Sequence, residues 1–153
     1  MRPRTAGRRL ALQYLFMADQ NHFIDVESPV NFFRTQRTAA KDNAGAGDDE
    51  SFFDSDDRYQ DEAEDFAFTL IREVEKRREQ IDADIEKAAK NWTVARMGVI
   101  ERNAIRIAAA ELALGQSPRG VILDEAVELA KRFGDKDSGA FVNGIADRLA
   151  GGL

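Results

Sequence analysis

Apolar residues recur at intervals of three and four along most of this chain, while the strict alternation that a half-buried strand requires is almost absent. The three prolines, Pro3, Pro29 and Pro118, stand at the edges of the periodic runs, where a missing N–H costs a helix nothing. This patterning predicts an all-α protein. Leu10, Tyr14 and Met17 fall on one stripe with Ala11, Leu15 and Ala18 beside it, predicting a first helix over about 4–19. Pro29, following Ser28, opens a second that runs to about Ala39. A long helix is expected over about 57–80, acidic in its first turns (Asp61, Glu62, Glu64, Asp65) and basic in its last (Lys76, Arg77, Arg78), the order its macrodipole favours. Its buried stripe is Ala63, Phe66, Ala67, Leu70 and Val74. A short helix over about 81–90 leads to Asn91-Trp92-Thr93. A central helix over about 95–114 carries Ile100, Ala104, Ile107, Ala108 and Leu112 at core spacing and stops at Gly115. Two more, over about 119–132 and 137–149, flank Phe133-Gly134-Asp135. The expected architecture is a bundle of about seven helices, without internal repeats.

Between the second and third helices lies a segment, about 41–57, with Gly45, Gly47 and a run of aspartates. It offers too little apolar area to offset its ordering entropy and is expected to be a flexible loop. Phe52 and Phe53 are its adhesive spot, read as a pair tucked back onto the bundle. At 153 residues the chain reads as a single domain over 1–153, or as two small helical lobes sharing a core. The net charge of −6 would argue against a nucleic-acid partner were it spread evenly. It is not. Residues 1–16 hold four arginines and no acid, residues 42–65 hold eleven acids and one arginine, and the remainder balances. What matters for a polyanion is the charge on the binding face.

Enzyme chemistry finds little footing. With no cysteine and one histidine, His22, neither a thiol nucleophile nor a His/Cys metal cluster can be assembled, and His22 reads as a surface or cap residue. No glycine-rich phosphate loop is present. No catalytic residue, metal site or cofactor is expected. The absence of cysteine suits a reducing compartment, no apolar run is long enough for a membrane span, and no signal peptide is evident, so the expected location is the cytoplasm.

Arg2, Arg4, Arg8 and Arg9 crowd the start of the first helix, against the positive end of its dipole, and Arg4 and Arg8 stand four apart, where like charges repel. Phosphate would relieve this, because arginine presents a fork of donors to it. A solvated, frayed terminus with chance charge accounts for the same residues.

The C-terminal half carries the most specific pattern. It reads Ile81-Asp82, then Asn91-Trp92-Thr93-Val94-Ala95-Arg96-Met97, then Ile100-Glu101-Arg102-Asn103-Ala104-Ile105-Arg106-Ile107-Ala108 and Glu111-Leu112. After Ser117-Pro118 it continues Val121-Ile122-Leu123-Asp124-Glu125-Ala126-Val127-Glu128-Leu129-Ala130-Lys131-Arg132-Phe133-Gly134, then Asp137-Ser138 and Phe141-Val142-Asn143-Gly144. This pattern strongly resembles the NusB family of transcription antitermination factors. Arg8-Arg9-Leu10-Ala11-Leu12-Gln13-Tyr14-Leu15-Phe16 is similar to the family's arginine-rich first helix.

The resemblance implies an all-α fold in two small subdomains and binding to the boxA element of ribosomal RNA transcripts. It also implies partnership with the small-subunit ribosomal protein NusE, and through it with other Nus factors and RNA polymerase, as a monomer or homodimer. The RNA-facing residues it implies are Arg2, Arg4, Arg8 and Arg9 of the N-terminal cluster, Glu101 and Arg106 of the central helix, and Asp137, Ser138 and Phe141 at the start of the last. Arginines would meet phosphates, Phe141 would stack on an unpaired base, and the polar groups would meet base edges. On the residues alone, Phe141 serves equally as core, Asp137-Ser138 as a helix cap, and Gly144 as a point of close helix packing.

The chain departs from the family pattern at Thr5 and Gly7, where more basic residues are usual, at Asp124, where asparagine is usual, and in its longer acidic segment. That segment is expected to screen the arginine face and favour RNA once the partner is docked. Two further readings follow: a protein-interaction scaffold with weak or no RNA binding, and a substrate-binding module of a ribosomal RNA cytosine-5 methyltransferase. The methyltransferase chemistry itself needs a cysteine this sequence lacks.

Overall fold

In a computed structural model of the chain, residues 1–42 and 57–152 are described. They form six α-helices and one short 3-10 turn, with no strand among the described residues. The helices are α1 (Pro3–Gln20), α2 (Pro29–Asp42), α3 (Asp57–Ala89), α4 (Val99–Leu114), α5 (Arg119–Phe133) and α6 (Ser138–Gly151), with the 3-10 turn at Val94–Arg96. The expected loop over 41–57, with Phe52 and Phe53, lies almost wholly outside the described residues. The chain divides into two compact units, Met1–Thr69 and Leu70–Leu153.

The first unit is built from α1, α2 and the opening turns of α3. Pro3 sits in the first turn of α1, and the Ser28 hydroxyl accepts the Asn31 N–H at 3.2 Å, capping α2. Tyr14, Phe32, Phe33 and Phe68 form a chain of tilted and edge-to-face ring contacts at 5.2–5.7 Å, a geometry that suits the ring quadrupole. The Tyr14 hydroxyl donates to the Glu27 carbonyl at 2.8 Å, so burying this ring strands no polar atom. Gly7 is required by packing. A Cβ there would lie 2.7 Å from the Ala63 carbonyl oxygen and 3.0 Å from Phe66 Cδ1. On α2, Arg37 forks onto Glu64 at 2.6 and 2.8 Å and onto Asp61 at 2.9 Å. The Glu64 carboxylate holds the guanidinium pKa above its usual value, and two members of the acidic stretch are thereby neutralised locally.

In the second unit α4, α5 and α6 pack against one another. Ala104, Ile105, Ile107 and Ala108 of α4, Ile122, Ala126 and Leu129 of α5, and Val142, Ile145 and Ala146 of α6 are all buried. Gly115 ends α4 in the left-handed conformation, φ 64°, with its N–H on the Glu111 carbonyl, as its sequence position predicts.

Two boundaries differ from expectation. The helices expected over 57–80 and 81–90 are two segments of α3 that meet at a kink at Arg77 (φ −117°, ψ 17°), three residues before the expected boundary. The kink falls within the basic turn at 76–78, whose charges resemble a helix end, and with neither glycine nor proline there the chain resumes its helix directly beyond it. The central helix expected from Ala95 begins instead at Val99, after the 3-10 turn and extended residues Met97 and Gly98. Side chains hold this connection: Glu86 accepts the Val94 N–H at 2.9 Å, and Arg102 Nη1 donates to the Met97 carbonyl at 3.2 Å.

Candidate nucleic-acid interface

In the first unit, α1 is helical from Pro3, so the arginines stand on an ordered terminus. Arg4 and Arg8 both lie over the Phe66 ring, at 5.1 and 5.2 Å from its centroid. This cation–π contact offsets their mutual repulsion. Their exposures differ: Arg2 and Arg4 are exposed, Arg9 is half-buried, and Arg8 is only 2% exposed. Tyr59 donates to the Met1 carbonyl at 2.6 Å. Burial pushes its phenol pKa up, against a smaller lowering by Arg9. Arg2, Arg4 and in part Arg9 stand at the surface here, while Arg8 builds the floor beneath them.

In the second unit the start of α6 brings several expected residues together. Ser138 is buried. Its hydroxyl donates to the Glu101 carboxylate and lies 3.2 Å from Asp135 Oδ1, while its oxygen accepts the Asp135 N–H at 2.9 Å. Glu101, in the first turn of α4, folds over Gly98; a Cβ at 98 would come within 2.9 Å of its Cδ. The turn before α6 is held by a residue outside the expected pair. Asp137 occupies the N-cap position without a side-chain cap bond, and the Asp135 carboxylate accepts the Asp137 N–H at 2.9 Å. That bond first, and the Ser138 hydroxyl second, hold the Asp135 carboxyl below its ordinary pKa. Asp137 itself remains exposed.

Phe141 is not a core residue. It is partly exposed and packs edge-to-face on Trp92, with centroids 6.0 Å apart and planes at 79°, and Trp92 is itself 50% exposed. Trp92 belongs to the family pattern without an expected role; the sequence signal for one is a lone tryptophan in a polar helix connection.

Arg106, expected at the RNA, is 4% exposed. Its Nε and Nη2 donate to the two Asp82 carboxylate oxygens at 2.8 and 2.9 Å, and its Nη1 to Asn103 Oδ1 at 3.0 Å. A guanidinium so buried and so paired ties α4 to α3 and does not present a fork to solvent. The close packing expected at Gly144 is also absent: a Cβ there meets nothing within 4 Å. The reason is position, since Gly144 lies on the outer side of α6 while Gly139 takes the close contact, with a Cβ 2.9 Å from Lys131 Cγ.

The NusB family model matches residues 5–150. The transcription antitermination protein NusB of Sorangium cellulosum is 38% identical over 154 residues, covering all of this chain and 95% of the relative. That of Geotalea daltonii is also 38% identical, covering 100% of this chain and 97% of its own. Among solved structures, T. maritima NusB superposes with a TM-score of 0.75 at 29% identity, covering 99% of this chain and 94% of the other. A structure of antitermination factors NusB and NusE in complex with dsRNA superposes at 0.71 with 27% identity, covering 100% and 99%.

Proposed function

This chain belongs to the NusB family, and from that premise we propose that it is a transcription antitermination factor that binds boxA-type RNA of ribosomal RNA transcripts together with NusE. It acts as a non-catalytic adaptor, with other Nus factors and RNA polymerase as indirect partners, in the cytoplasm where transcripts are made. The observation that carries the reading is the full-length likeness to a NusB solved with NusE and RNA. Two features of the chain support it independently. One is the cationic start of α1, where Arg2 and Arg4 are exposed. The other is the half-exposed Trp92–Phe141 ring pair, an arrangement that proteins use to stack unpaired bases.

In the first unit Arg2, Arg4 and Arg9 take phosphates; in the second, Phe141 takes a base and Asp137 a base edge. Glu101 and Ser138 fix the first turn of α6 from within. Arg8 and Arg106 act from beneath the surface, holding Phe66 and α3 respectively. As a unit, residues 1–153 work as one RNA-binding module.

Fluorescence anisotropy of a labelled boxA RNA, with and without NusE and across a salt series, tests the proposal. Each phosphate contact on a single strand contributes about −0.7 to the log–log salt slope, so three or four give about −2 to −3. Binding strengthened by NusE and lost on scrambling boxA is the expected result. A protein that forms the NusE complex yet binds no RNA in either condition overturns it in favour of a protein-interaction scaffold.

A further inference from the structure

Two features of α6, Gly144 and Arg148, remain unexplained by the reading above, and they lie on one face with Phe141. Phe141, Gly144 and Arg148 are spaced by three and then four residues, the spacing that stacks side chains along one side of a helix. A glycine in mid-helix is unfavourable against alanine, and Gly144 has no packing reason for being there, because a Cβ would meet open space. On its N-terminal side stands the Phe141–Trp92 pair, the indole half exposed. On its C-terminal side stands Arg148, exposed, with Nη1 donating to the Ala88 carbonyl at 2.8 Å. Ala88 is in the last turn of α3, four residues before Trp92, so both ends of this face are anchored on the same short stretch of chain. Asp137, one turn before Phe141, is exposed as well.

We propose that Trp92, Phe141, Gly144 and Arg148 form a subsite for one unpaired nucleotide. The base stacks on the Trp92–Phe141 pair, the sugar–phosphate passes close over the bare backbone of Gly144, and Arg148 takes the phosphate. The face is polar in a useful sense. A carboxylate at the Asp137 end meets amino groups on a base edge and rejects a phosphate, while the guanidinium at the Arg148 end does the reverse. The rise of 1.5 Å per residue puts Phe141 and Arg148 about 10.5 Å apart along the axis, so a ligand bridging them must cross Gly144, where any side chain would stand in its way. This inference rests on the RNA-binding reading and assigns Trp92, Gly144 and Arg148 a direct part in it.

Trp92 is the only tryptophan in the chain, so its emission reports this spot alone. The test titrates the full chain with a labelled single-stranded boxA RNA, reading anisotropy of the label and emission of Trp92 in parallel. The proposal expects both signals to saturate at the same RNA concentration. Trp92→Leu is expected to weaken affinity by about 5- to 150-fold, the range measured for loss of a stacked base. Gly144→Ala is the sharper variant: it is expected to raise the melting temperature by a few degrees, because helix propensity improves, and yet to weaken RNA binding. Arg148→Gln is expected to flatten the salt slope by about 0.7, with Arg148→Lys restoring it. Anisotropy that saturates while Trp92 emission stays unchanged, or a Gly144→Ala protein that binds RNA as tightly as the parent, overturns the subsite and leaves the RNA-binding reading intact. No anisotropy change at any RNA concentration overturns both.

Discussion

Replacing Asp82 with alanine strands the Arg106 guanidinium, and the cost can be worked from the geometry. The pair is bidentate, at 2.8 and 2.9 Å, with the arginine side chain 5% exposed and the aspartate 27% exposed. Removing one partner of a buried ion pair costs about 3–5 kcal/mol, most of it the penalty of leaving the other charge uncompensated. Water reaches this pair from the aspartate side, so the lower end, about 3 kcal/mol, applies to Asp82→Ala. The reverse deletion should cost less. In Arg106→Met an apolar stem still fills the site, and the carboxylate left behind is already partly hydrated, so the loss is about 1–2 kcal/mol in hydrogen bonds. Urea unfolding followed by Trp92 fluorescence measures both, because Asp82, Arg106 and Trp92 lie in the same unit. With a slope near 2 kcal/mol per molar, the midpoint should fall by about 1.5 M for Asp82→Ala and by about 0.5–1 M for Arg106→Met. The double variant should cost less than the two losses together. If Arg106→Met proves the more damaging single change, the guanidinium is not held chiefly by Asp82 and the argument fails.

Ser138→Ala removes a hydroxyl that links Glu101 and Asp135 and accepts the Asp135 N–H; thermal melts should show a loss of about 1–3 kcal/mol, as for an orphaned buried group. The Asp135 carboxyl titrates below its ordinary value of about 3.9 because it accepts the Asp137 N–H and the Ser138 hydroxyl. Its contribution is therefore present above that ordinary value and lost as pH falls through the lower folded value. Amide NMR shifts of Asp137 and Ser138 should move in that acid window, and Asp135→Asn should abolish the movement; an unchanged acid titration in the variant rules the bond out as its cause. Gly7→Ala should destabilise by about 1–3 kcal/mol in chemical denaturation, since the new methyl meets the Ala63 carbonyl at 2.7 Å, whereas a neutral result would mean that α1 shifts freely on α3.

The elements of this protein are written in features that act within one helical turn. The proline and serine that start α2, the glycine that stops α4 and the three-to-four spacing of the apolar stripes each depend on neighbours no more than four residues away. The start of α2 at Pro29 and the end of α4 at Leu114 accordingly stand where the sequence places them. The family pattern from Ile81 onward is of the same kind, an ordered string that needs no coordinates to be recognised, and with it came the all-α architecture and the RNA-binding role. What the string does not contain is the partner of each side chain. Arg106 meets Asp82 across 24 residues, Ser138 meets Glu101 across 37, and Arg148 meets Ala88 across 60. An arginine looks the same in a sequence whether its guanidinium is buried against a carboxylate or offered to a phosphate. Likewise a phenylalanine in a stripe reads as core until a tryptophan from another segment is found lying edge-on against it, and a mid-helix glycine reads as close packing until the space beside it is found empty. Packing decided those cases, because exposure and pairing belong to the assembled set of helices and to no single one of them.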